Sequence, residues 1–141
     1  MQRGKIYNRE RAQQLRDFSG LRFGDITPTD IDGLVEFNDT LFVYFEAKRI
    51  GTLLPRGQKL ALTRQCDAIN GTKNFYGKTR IAALIVIEHD TSPDQDVDYA
   101  QLRVKNIYQN RRWTEPKKDT SCREAVEDLL TQAGLAQRYI R

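Results

Sequence analysis

The chain has 141 residues, 39% of them hydrophobic and 30% charged, with a formal net charge of +4. That size suits one domain with its own core and is short for two, so residues 1–141 are read as a single domain. The composition excludes a disordered chain. The longest apolar run, Ile81–Ile87, is too short to cross a bilayer. The opening stretch MQRGKIYNRERAQQLRDF lacks the apolar core of a secretory leader, so a cytoplasmic protein without membrane contact is expected.

Ala12, Leu15 and Phe18 fall on one stripe and predict a first helix from about Tyr7 to Phe18, with Asn8 as cap and Gly20 as stop. This region is basic: Arg3, Lys5, Arg9, Arg11, Arg16 and Arg22 stand against Glu10 and Asp17. Residues 30–48 read as a β-hairpin turning at Asn38-Asp39-Thr40, and the second arm, Leu41–Lys48, is apolar enough to be buried on both faces. A helix is expected over Arg56–Ile69, ended by Asn70-Gly71, and a central strand over Arg80–His89. An acidic loop (Thr91–Asp98) leads to a fourth strand, Gln101–Tyr108. A second basic stretch, Arg111, Arg112, Lys117 and Lys118 around Trp113, precedes a terminal helix over Ser121–Ala133 with a Ser121–Glu124 capping box. The expected fold is α/β: a mixed sheet flanked by helices, in the order α-β-β-α-β-β-α.

Some motifs do not survive inspection. Gly77-Lys78-Thr79 resembles the end of a phosphate-binding loop, but position 72 is Thr where glycine is needed, and a strand follows where a helix should. Asp94, Asp96 and Asp98 open like a calcium loop, yet Tyr99 and Lys105 stand where Gly and Glu belong. Cys66, Cys122 and the single histidine, His89, cannot complete a four-ligand zinc site, so both cysteines are read as reduced thiols and His89 as structural. No organic cofactor is indicated.

The hairpin carries the chemistry. With a three-residue turn at 38–40, Phe37 pairs with Leu41, and counting back sets Asp32 opposite Glu46 and Asp30 opposite Lys48. Ile31, Val35, Phe37, Leu41, Val43, Phe45 and Ala47 then form one apolar face; Asp32, Leu34, Glu36, Phe42, Tyr44, Glu46 and Lys48 form the other. A two-residue turn would separate the acids unless a bulge intervened, with Gly33 as its site. Two juxtaposed carboxylates repel unless a cation neutralises them, and their oxygens suit Mg²⁺ or Mn²⁺. A surface ion-pair cluster is the competing reading of the same spacing.

Asp32 followed by Glu46-Ala47-Lys48 resembles the PD-(D/E)XK nuclease superfamily. The segments Ile26–Gly33, Glu46–Lys48 and Pro55-Arg56-Gly57-Gln58 look especially like small nuclease-like proteins of phages and prophages and like Holliday-junction resolvases. The resemblance implies a restriction-endonuclease-like core and a metal-dependent endonuclease. It implies Asp32, Glu46 and the Ala47 carbonyl as metal ligands, with Glu10 as an added acid from the first helix. It also implies a catalytic Lys48 and a supporting Gln58. Ile31 stands where the motif places Pro, and Pro28-Thr29-Asp30 leaves Asp30 as a rival to Asp32. DNA, linear or branched, is the expected substrate and a homodimer an expected assembly. Arg9, Arg11, Arg111, Arg112, Trp113, Lys117 and Lys118 are candidate contacts to its backbone. A non-catalytic regulatory protein on the same fold is the alternative.

Overall fold

A computed structural model describes residues 3–5, 7–13 and 15–140, the side chain of Arg11 excepted. The elements are α1 (Arg9–Ala12), β1 (Gly33–Phe37), β2 (Leu41–Arg49), α2 (Arg56–Ile69), β3 (Ile81–His89), β4 (Arg103–Gln109), β5 (Arg112–Thr114), α3 (Cys122–Gln132) and α4 (Ala136–Tyr139). The five strands form one mixed sheet in the order β1-β2-β3-β4-β5. β2 and β3 run parallel, as the intervening α2 allows, and every other neighbouring pair is antiparallel.

The hairpin has the expected register over Gly33–Phe37, but its first arm is a strand only from Gly33, so Asp30 does not pair with Lys48. Phe37 pairs with Leu41 and Gly33 with Phe45 across the turn at 38–40. Asn38 and Asp39 adopt φ of 50° and 54°, a left-handed conformation that asparagine and aspartate tolerate better than most residues. The sheet's two faces then divide as the alternation requires. Leu41, Val43, Ala83, Ile85 and Ile87 pack with Ala125, Leu129 and Leu130 of α3, while Tyr44, Ala82, Leu84 and Val86 pack with Leu62 and Cys66 of α2. β3 is central and buried from Ala82 to Ile87, which explains why it lacks a polar alternation. Both cysteines are buried free thiols, each pushed up by desolvation, Cys66 to about 12 and Cys122 to about 11.

Several expectations need correction. The first helix is a single turn, Arg9–Ala12, and not a span to Phe18; Leu15 is 98% exposed, so its stripe has nothing to pack against. A short helix without a buried face does not meet its ordering cost. β4 begins at Arg103, after a 3₁₀ turn over Tyr99–Gln101. β5, absent from the expected order, pairs with β4 after a tight turn in which Asn110 and Arg111 have φ of 54° and 60°. α3 is capped by the expected reciprocal bonds between Ser121 and Glu124, and α4 follows it. No described helix is long and apolar enough to cross a membrane.

Candidate active site

Asp32 immediately precedes β1, while Glu46 lies inside β2. The ladder between the arms ends at Gly33–Phe45, and the two acids meet just beyond it through bonds between side chain and backbone. The Asp32 amide donates to Glu46 Oε1 at 3.4 Å, and the Ala47 amide donates to Asp32 Oδ2 at 2.8 Å. Each acid is thus tied to the opposite arm by a backbone N–H.

The two carboxylates differ in setting. Asp32 is exposed, whereas Glu46 is fully buried on the face that α2 covers. Burial, then the charge of Asp32, raises the Glu46 carboxyl from 4.5 to about 7. Its Oε2 is buried with no hydrogen-bond partner among the described residues. The Lys48 ammonium stands 3.9 Å away and 21% exposed, at the rim of the site. An orphaned carboxylate oxygen in a desolvated place is costly unless a cation reaches it.

The remaining predicted residues are placed as follows. Gln58, in the first turn of α2, donates to the Asp30 carbonyl at 2.9 Å and so pins the segment leading to Asp32. The Asp30 carboxylate turns away to Arg16, at 3.3 Å. Between the two rival acids, Asp32 is the one beside Glu46. Glu10 lies on exposed α1, and no third His, Cys, Asp or Glu joins Asp32 and Glu46 in a metal-sized group among the described residues. His89 Nδ1 accepts from the Thr91 amide at 3.3 Å, a local structural bond.

The basic residues divide between the two ends of the sheet. Arg9 pairs with Asp96 in the loop after β3, at the same end as Glu46 and Lys48. The side chain of Arg11 falls outside the described residues. Arg111 and Arg112 occupy the β4–β5 turn at the other end, where Asn110 meets Asn70 at the close of α2. Tyr108 lies opposite Leu84 and Arg103 opposite Glu88, so this turn is at least about 13 Å along the strands from the acid end. Trp113 packs on Tyr108, with ring centroids 5.2 Å apart, beneath Lys59. Lys117 and Lys118 line a groove between β4 and α3, on the face opposite α2. These five are therefore not grouped with the acid pair, although one basic stretch in the sequence contains them all.

Tyr99, which sequence reasoning did not single out, feels the charge of both acids. It packs under the sheet from the 3₁₀ turn before β4, and its hydroxyl is pushed up to about 12 by burial, then by the charges of Asp32 and Glu46. Nothing in its local sequence signals that proximity, because a long-range fold brings it there.

Comparison with family models, with curated proteins and with solved structures finds no match for this chain.

Proposed function

We propose that the protein is a divalent-metal-dependent nuclease that hydrolyses phosphodiester bonds within DNA. The observation carrying this reading is the pairing of an exposed and a buried carboxylate across a hairpin, with Glu46 Oε2 left without a partner and Lys48 beside it. The donors fit Mg²⁺ or Mn²⁺, which take carboxylate, carbonyl and water oxygens. With two acids meeting here among the described residues, the Ala47 carbonyl, water and a substrate phosphate would complete the shell. When bound, the cation supplies Lewis acidity and neutralises the charge that builds on phosphate.

The chain's own groups take the remaining roles. Asp32 and Glu46 hold the ion, each oriented by its bond to the other arm. Lys48, anchored near Glu46 but open to solvent, is placed to meet a phosphate oxygen or the attacking water. Gln58 supports the site through the Asp30 carbonyl. α2 starts at this same end with no side-chain cap on its first amides, and those amides suit a negatively charged group. The β1–β2 hairpin followed by a helix and a strand parallel to β2 is compatible with a restriction-endonuclease-like core, and the intact Asp, Glu and Lys support membership of the PD-(D/E)XK superfamily. A homodimer, as in resolvases of this type, would allow both strands of a branched DNA to be cut.

One observation favours a second reading, a binding protein without turnover. Among the described residues no third ligating side chain completes the acid pair. The test is cleavage of linear, single-stranded and branched DNA with Mg²⁺ or Mn²⁺ by the parent, Glu46→Ala and Lys48→Ala. Cleavage by the parent, lost in both variants with the fold intact, is expected. Equal cleavage in all three would refute the assignment, and DNA binding without cleavage under either metal would favour the second reading.

A further inference from the structure

The loop between α2 and β3 has a built framework that serves two exposed rings. Its ends are closed by backbone bonds: the Gly71 amide donates to the Arg80 carbonyl at 2.8 Å, and the Arg80 amide to the Thr72 carbonyl at 2.7 Å. Asn74 is its buried post. The side-chain amide of Asn74 donates to the Asp39 carbonyl at 3.0 Å, and its Oδ1 accepts from the amides of Tyr76 and Lys78, both at 2.9 Å. Arg80 grips both carboxylate oxygens of Asp39 and also the Lys73 carbonyl. Gly77, with φ of 78°, makes the turn that a side chain would strain.

On this frame stand Phe75, 92% exposed, and Tyr76, 69% exposed, at right angles to each other with centroids 5.6 Å apart. The rings cover no core. Lys73 and Lys78 flank them; Lys73 bonds only the Thr79 hydroxyl, and neither ammonium has an acidic partner among the described residues. The other residues of the loop, Thr72, Asn74, Gly77 and Thr79, are polar or glycine, so two aromatic faces stand in polar ground and not in a broad apolar surface.

We infer that the loop of residues 71–80 binds single-stranded nucleic acid, with Phe75 and Tyr76 stacking on unpaired bases and Lys73 and Lys78 contacting the backbone phosphates. Exposed rings with cations beside them suit bases, which all offer a π-face, whereas duplex bases are already stacked on one another. The perpendicular rings require neighbouring bases to splay, which a flexible single strand permits. The loop leads into β3 at Ile81, while Glu46 pairs with Val86, so this site lies about 16 Å or more along the sheet from the acid pair. Binding here is independent of the hydrolytic reading.

The test is fluorescence anisotropy of a labelled oligothymidylate, about 15 nucleotides long, with the full chain in EDTA. The parent is expected to bind it more tightly than a duplex of the same length. Phe75→Ala with Tyr76→Ala should weaken binding about tenfold or more, while Phe75→Trp should retain it. Lys73→Ala with Lys78→Ala should weaken it and flatten its salt dependence. Thermal unfolding checks that these exposed substitutions leave the fold intact. No binding by the parent, or equal binding by the parent and the double-alanine ring variant, overturns the inference and leaves the rings to a protein partner. Ring-dependent binding by a chain that cleaves nothing upholds it and counts only against the nuclease.

Discussion

Replacing Glu46 by glutamine tests the electrostatics of the site without any substrate. The Glu46 carboxyl is raised from 4.5 to about 7, so in the absence of metal the folded chain holds a proton there that the unfolded chain has released. Stability from that proton is complete below about pH 4.5 and is lost as the pH rises through about 7. The gap corresponds to about 3 kcal/mol of penalty on the ionised side chain at pH 8. The Glu46 side chain is shielded, but the exposed Asp32 beside it lets solvent lower that figure, so about 3 kcal/mol is its ceiling. Glutamine has nearly the same shape and keeps an oxygen for the Asp32 amide, but it carries no charge. Glu46→Gln should therefore stabilise the metal-free protein at pH 8 by up to about 3 kcal/mol, a rise of about 10 °C in Tm. At pH 4.5 it should change little. Urea unfolding in EDTA at both values measures this. Should the variant at pH 8 prove no more stable than the parent, the claim that a desolvated charge is stored at Glu46 is wrong. Saturating Mg²⁺ or Mn²⁺ at pH 8 should then stabilise the parent and leave the variant unchanged.

Other expectations follow from single contacts. Lys48→Ala should keep Mn²⁺ binding, read by titration, while cleavage falls about a hundredfold or more. Asp32→Ala should abolish metal-induced stabilisation and lower metal-free stability by about 1 kcal/mol, since the Ala47 amide loses its acceptor. Ile85→Ala, in the fully buried centre of β3, should cost about 2–5 kcal/mol in chemical unfolding. Ser121→Ala removes one half of the α3 capping box and should cost about 1 kcal/mol by the same assay.

What could be read from the sequence was decided by strand parity. Alternation from Ile31 to Lys48, with one turn at 38–40, set Asp32 beside Glu46 and assigned Val43 and Tyr44 to opposite cores; both hold, although the first arm is a strand only from Gly33 and Ile31 is exposed. The bounds of α2 were legible because apolar spacing began after Pro55 and ended at Asn70-Gly71. The N-terminal helix misled because periodicity reports a stripe and not a surface to receive it; Leu15 has none. β5 was hidden because Arg112-Trp113-Thr114 is too short for a pattern, and the turn signal in Asn110 was masked by the surrounding charge. Distances between basic clusters were illegible for another reason. Lys117 and Lys118 follow Trp113 closely in the chain, but a loop carries them to the opposite face of the sheet.

The two acids also differ in mechanical support. Glu46 rides on a strand braced on both sides, by β1 and by β3, so its position is set by the whole sheet. Asp32 lies just beyond the start of the outermost strand, held by bonds to Ala47 and Glu46 and, through Asp30, by Gln58, with no strand outside it. The pair acts as a vice with one fixed jaw and one sprung jaw. Were the proposed cation bound, ions of unequal radius would be met more by the 30–32 segment than by β2, which strands on both sides hold.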